Sequence, residues 1–212
     1  MALGDQMRIN GIAALAALVS TGVAAPAMAG EAWVGAYAHD ITFVGETLGL
    51  GAAGKEDGTN FHIGYRTDRL DSFPDWMGGP RAHVFASINS GDDTSYVAAG
   101  LNWHVPLGDS GRFYLQPGFG LAWQDSYDTL PSYSEPGLTQ AEIDYRVGLR
   151  STKIEFGSKV LFQPELALGM NLSDRTAVEL SYVHLSNGQI LAQGKNEGLD
   201  ELGVRLVYRL GQ

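Results

Sequence analysis

A two-residue alternation, recurring in segments of about ten residues, constrains this chain more than any other feature. Phe113, Leu115, Pro117, Phe119, Leu121 and Trp123 fall on one face of an extended segment. Arg112, Tyr114, Gln116, Gly118, Gly120, Ala122 and Gln124 fall on the other. Successive side chains of a strand point to opposite sides, so a period of two marks a β-strand with one apolar face. A soluble sandwich would carry Lys, Glu and Thr on its second face. Here that face is Gly, Ala and Gln with an occasional charge, which suits a narrow enclosed interior.

The pattern returns along the chain. Ser95, Val97, Ala99, Leu101, Trp103 and Val105 oppose Thr94, Tyr96, Ala98, Gly100, Asn102 and His104. Phe156, Val160, Phe162, Leu166 and Leu168 oppose Gly157, Lys159, Gln163, Glu165 and Gly169. Val178, Leu180 and Tyr182 oppose Ala177, Glu179 and Ser181, and Leu202 to Leu210 alternate with Gly203, Arg205 and Arg209. Shorter candidates are 32–39, 59–66 and 81–89. Strands of about ten residues are long enough to cross a bilayer at a tilt. The expected fold is therefore all-β, an eight-stranded antiparallel transmembrane β-barrel whose interior side chains just fill it. Glu165, Glu179, Arg205 and Arg209 would be costly in a dry core but can pair with one another inside a barrel. With both ends periplasmic, links 40–58, 90–93, 125–150 and 187–199 lie outside, and 67–80, 106–111 and 170–174 inside.

The beginning of the chain reads as an address. Ile12 to Val19 are apolar, Arg8 precedes them, and Ala27-Met28-Ala29 follows. That is the order of a cleaved export signal, with an apolar stretch too short to span a membrane. The expected division is 1–29 signal peptide and 30–212 barrel. No cysteine is present, so zinc–thiolate sites and cysteine nucleophiles are excluded. The net charge of -10 leaves no basic surface for a phosphate backbone, so nucleic acid is not an expected partner. Glycine, at 28 of 212 residues, is about twice its usual ~7%. That suits many turns and close backbone approaches.

Two motifs carry little. Gly49-Leu50-Gly51-Ala52-Ala53-Gly54 matches a dinucleotide fingerprint by letter, but no strand precedes it and no helix follows. His39, His62, His83 and His104 lie on separate segments without ligand spacing, so no metal site is expected. The string Tyr182-Val183-His184-Leu185-Ser186-Asn187-Gly188 differs. His184 and Ser186 project from one face, and it is the outward one carrying Val178, Leu180 and Tyr182. Asp200 shares parity with Leu202, Val204 and Leu206, and returns beside His184 after link 187–199. A serine, an imidazole and a carboxylate would then meet on the outer wall at the rim, as nucleophile, base and acid. Spacing alone leaves open an interfacial His and Ser with no chemistry.

The residues His184-x-Ser186-Asn187, Asn196-x-Gly198-Leu199-Asp200 and the closing Leu202-Gly203-Val204-Arg205-Leu206-x-Tyr208 resemble the lipid A 3-O-deacylase (PagL) family. The resemblance is specific over roughly 156–210. It implies an integral barrel of the Gram-negative outer membrane, an esterase that removes the 3-hydroxyacyl chain at position 3 of lipid A. It implies lipid A in the outer leaflet as substrate and neither metal nor other cofactor. By motif, His184 is the base, Ser186 the nucleophile and Asp200 the acid. Asn196 is a candidate oxyanion donor, assisted by backbone amides after Ser186, with Asn187 in support. The chain departs from the family in having Asp rather than Glu as the acid, Glu197 where Pro is common, and Gly188-Gln189 after the serine. The competing readings are a non-enzymatic structural or adhesive barrel and a soluble lipocalin-like barrel.

Overall fold

Each alternating segment becomes a strand. In the computed structural model, which describes residues 29–42 and 54–211, the strands are β1 (Gly30–Ala38), β2 (Thr59–Thr67), β3 (Arg81–Asn89), β4 (Tyr96–Asn102), β5 (Val105–Leu107), β6 (Phe113–Gln124), β7 (Val160–Asn171), β8 (Thr176–Leu185) and β9 (Leu199–Leu210). All neighbours are antiparallel, in the order β4-β3-β2-β1-β9-β8-β7-β6-β5, and a β4–β6 pairing closes the ring. Segments β4 and β5 both pair with β6, and Trp103 N donates to Pro117 O between them. They form one wall strand with an irregularity at Trp103 and His104, and the barrel has eight walls. Closure leaves no open sheet edge to be satisfied in a hydrocarbon medium. The proposed signal segment, apart from Ala29, and most of the Gly49–Gly54 string lie outside the described residues.

The two faces divide as the alternation requires. Val34, Ile63, Phe119, Leu121, Leu180 and Val204 are exposed on the outer wall. Trp33, Tyr37, Phe85, Tyr96, Tyr114 and Val207 are buried in the lumen beside charged groups. Arg66 bridges Glu31, through Nε, and Glu179, through Nη2 at 2.5 Å. Arg205 Nε meets Glu179 and its Nη1 lies 3.5 Å from Glu165, while Tyr114 O–H donates to Glu179 at 2.6 Å. The expected pairing among Glu165, Glu179, Arg205 and Arg209 holds for the first three. Arg209 instead pairs with Glu31 at 3.0 Å, because the ring brings β1 against β9.

One expectation is corrected, and two links hold helical turns. Strand β7 starts at Val160 rather than Phe156, and Phe156 is fully buried in the loops instead of facing outward. Its N–H bonds Tyr127 O, which pulls it away from the wall. The outer link between β6 and β7 holds a helix, α1 (Gln140–Thr152), started by a capping box in which Thr139 and Glu142 exchange hydrogen bonds. The long inner link contains a 3-10 turn, Asp75–Met77, fastened by Trp103 Nε1 donating to Met77 O at 2.6 Å.

Carboxylates tie the outer links together. Buried Glu56 accepts from Thr94 N at 3.1 Å and Ile154 N at 3.2 Å and lies 3.1 Å from His39 Nε2. Glu197 accepts from Lys55 Nζ at 2.6 Å and Glu155 N at 2.8 Å. The segment just before Asp200 is thus braced against two other links.

Candidate active site

The β8–β9 ladder sets the site. His184 and Asp200 are direct partners across it, as are Tyr182 and Leu202 one step deeper. Shared parity puts His184, Ser186 and Asp200 on the outer wall, each partly exposed. His184 Nδ1 lies 2.5 Å from Asp200 Oδ1, and the Tyr182 hydroxyl donates to the same oxygen at 2.7 Å. Ser186 continues the strand by a bridge to Phe162, with Phe162 N donating to Ser186 O at 2.7 Å and Ser186 N to Phe162 O at 3.2 Å. The serine backbone is therefore held while its hydroxyl stays on the wall.

Ser186 Oγ and His184 Nε2 share this face without a hydrogen bond between them, and neither has another partner among the described residues. Such contacts tighten in many enzymes only when substrate is bound. Gly198 makes room for the imidazole: a Cβ there would sit 2.9 Å from His184 Cε1 and 3.1 Å from Leu185 O. A side chain there would push the imidazole out of this position.

The turn after the serine is built on left-handed backbone at Gly188 (φ 63°) and Gln189 (φ 57°). Asn187 is fully buried and its side chain is committed to that turn. Its Nδ2 donates to Phe156 O and Lys195 O, both at 2.7 Å, and its Oδ1 accepts from Gln189 N at 2.7 Å. Asn196 Oδ1 accepts from Asn187 N at 2.7 Å. That leaves Asn196 Nδ2 and Gly188 N as donors without partners among the described residues. The arrangement offers an oriented imidazole, a hydroxyl on its face and nearby amide donors.

Sequence reasoning placed Tyr182 in the apolar stripe and missed its hydroxyl contact. Its position two residues before His184 was the signal, since i and i+2 are same-face neighbours. The remaining histidines do other work. His39 and His62 contact Glu201, at 3.4 and 2.9 Å, His83 contacts Gln163, and His104 packs on Tyr114.

Residues 58–209 match the family model for lipid A 3-O-deacylase (PagL). No curated protein sequence matches the chain. Among solved structures, the crystal structure of the outer membrane enzyme PagL aligns with a TM-score of 0.50 at 13% identity, covering 84% of this chain and 97% of that one. Neisserial surface protein A (NspA) gives 0.49 at 11%, covering 85% and 96%. The N-terminal β-barrel domain of Pseudomonas aeruginosa OprF gives 0.43 at 12%, covering 84% and 99%. At 13% identity the first likeness is one of fold alone.

Proposed function

The chain belongs to the lipid A 3-O-deacylase (PagL) family, and from that premise we propose that this outer-membrane barrel hydrolyses the ester holding a 3-hydroxyacyl chain at position 3 of lipid A. The observation that carries the reading is the His184–Asp200 pair, 2.5 Å apart, on the lipid-facing wall with Ser186 on the same face. Acyl esters of lipid A lie at the depth of the outer rim, so substrate reaches such a site by lateral diffusion without entering the lumen.

In this reading Asp200 holds the His184 Nδ1–H, which leaves Nε2 to take the Ser186 proton as Oγ attacks the ester carbonyl. The tetrahedral oxyanion is met by donors from Asn196 Nδ2 and Gly188 N–H. Collapse breaks the bond to the sugar oxygen, which leaves with the proton from His184. Water then attacks the acyl-serine by the same route, releasing the 3-hydroxy fatty acid and restoring Ser186. Asn187 acts by fixing the turn that presents Gly188 and Asn196. Residues 1–29 are taken as the export signal, leaving 30–212 as the mature barrel.

The test is mass spectrometry of purified lipid A in detergent, incubated with the folded protein or with Ser186→Ala. Loss of one 3-hydroxyacyl chain with the unsubstituted protein alone is the expected result. Full activity in Ser186→Ala would remove the nucleophile assignment. No cleavage by correctly folded protein would favour the structural or adhesive barrel.

A further inference from the structure

Asp200 Oδ1 accepts two donors at once, His184 Nδ1–H at 2.5 Å and Tyr182 O–H at 2.7 Å. We infer that Tyr182 is a positioning residue for the ester hydrolysis proposed above, its hydroxyl holding the Asp200 carboxylate in the orientation that meets His184. The inference rests on the Ser186-His184-Asp200 reading.

Three observations carry it. First, Asp200 is a short acid directly opposite His184 in the ladder, and it stands on a wall that faces lipid. A carboxylate there lacks bulk water to satisfy it, so protein donors decide both its charge and its direction. Second, strand β8 runs toward the outer rim, so Tyr182 lies one step deeper than His184 on the same face, in line with Val178 and Leu180. A tyrosine anchoring a barrel at the interface directs its hydroxyl to water or headgroups. This one directs it to Asp200. Third, both donors use the same oxygen, so the tyrosine approaches from beneath while the imidazole comes across the ladder. Rotation of the carboxylate would break both bonds together.

The experiment compares unsubstituted protein, Tyr182→Phe, Asp200→Asn, Ser186→Ala and the Tyr182→Phe/Asp200→Asn double variant, all in detergent with lipid A. Phenylalanine preserves the lipid-facing surface, and heat-dependent gel mobility checks the fold. Tyr182→Phe should lower kcat roughly tenfold with KM within about twofold. In the Asp200→Asn background the same substitution should cost little more. Wild-type kcat in Tyr182→Phe, with Ser186→Ala inactive, would overturn the role of Tyr182 and leave the triad standing. Fully additive losses in the double variant would also overturn it. Activity in Ser186→Ala would bring down the triad and this inference together.

Discussion

His184 Nδ1 and Asp200 Oδ1 meet at 2.5 Å across a directly paired position of β8 and β9. The couple is therefore set by the barrel ladder rather than by the loops around it, and a ladder position is rigid to within a rotamer. A site built on strands keeps its geometry better than one built on loops. The variable part lies on the other side of Ser186, in the turn that carries Gly188 and Asn196.

Removing the charge of the acid while keeping its size should be severe. Asp200→Asn is expected to lower kcat by up to about four orders of magnitude, because the amide favours the wrong imidazole tautomer. His184→Ala and Ser186→Ala should each abolish cleavage, and their double variant should be little worse than either alone. Single-turnover kinetics on lipid A in detergent measure this; additive losses would contradict a unit.

Gly198→Ala tests the imidazole position. The new methyl would lie 2.9 Å from His184 Cε1, while the glycine's backbone is not in the left-handed region. The fold should tolerate it, but the ring must shift. A displacement of this kind is worth roughly a hundredfold in turnover. Unchanged turnover would mean that the ring orientation seen here does not matter for the reaction.

The two asparagines should separate cleanly. Asn196→Asp removes the amide donor but keeps an oxygen to accept from Asn187 N, and is expected to lower kcat by roughly two to three orders of magnitude with the turn intact. Asn187→Ala removes the bonds to Phe156 O, Lys195 O and Gln189 N. It should open the 187–198 link to proteases as well as lower activity. Limited proteolysis of both variants distinguishes a chemical from a structural loss.

The outer links should loosen in alkali. His39 is buried between Glu56 and Glu201, at 3.1 and 3.4 Å. Burial by itself lowers its pKa, but hydrogen bonds and charge from Glu201 and Glu56 outweigh this and raise it to about 9. A group raised above its unfolded value of ~6.5 stabilises fully below that value and loses its contribution as pH climbs through the folded pKa. Proteolysis of link 125–159 should therefore speed up between about pH 7 and about pH 10. In His39→Gln it should be faster at neutral pH and nearly flat with pH. A flat profile in the unsubstituted protein would contradict the assignment.

Much of the fold was legible because alternation is a local property of the backbone. Leu180 and Val204 could be placed outside, and Glu179 and Arg205 inside, from parity alone, since each residue reports only its own side of the strand. The same parity put His184, Ser186 and Asp200 on one wall. Helix α1 was missed within the 125–150 link, although Thr139-x-x-Glu142 is the signal that marks its start. Phe156 misled because its parity matches Val160 although the chain has not yet entered the β7 ladder there.

Register and reach were decided elsewhere. The 187–198 link can close β8 onto β9 in more than one register, and only the hydrogen bonds of the β8–β9 ladder set His184 opposite Asp200. Only ring closure of β1 onto β9 brings Glu31 to Arg209, and only packing commits Asn187 to its turn and leaves Asn196 Nδ2 without a partner among the described residues. The Tyr182 hydroxyl belongs to the same class, since its bond to Asp200 spans two strands. Periodicity follows from dihedral angles repeated along one strand, so the sequence alone carries the faces. Cross-strand alignment follows from hydrogen bonds between segments far apart in the chain, so only the tertiary structure carries the contacts that make a site.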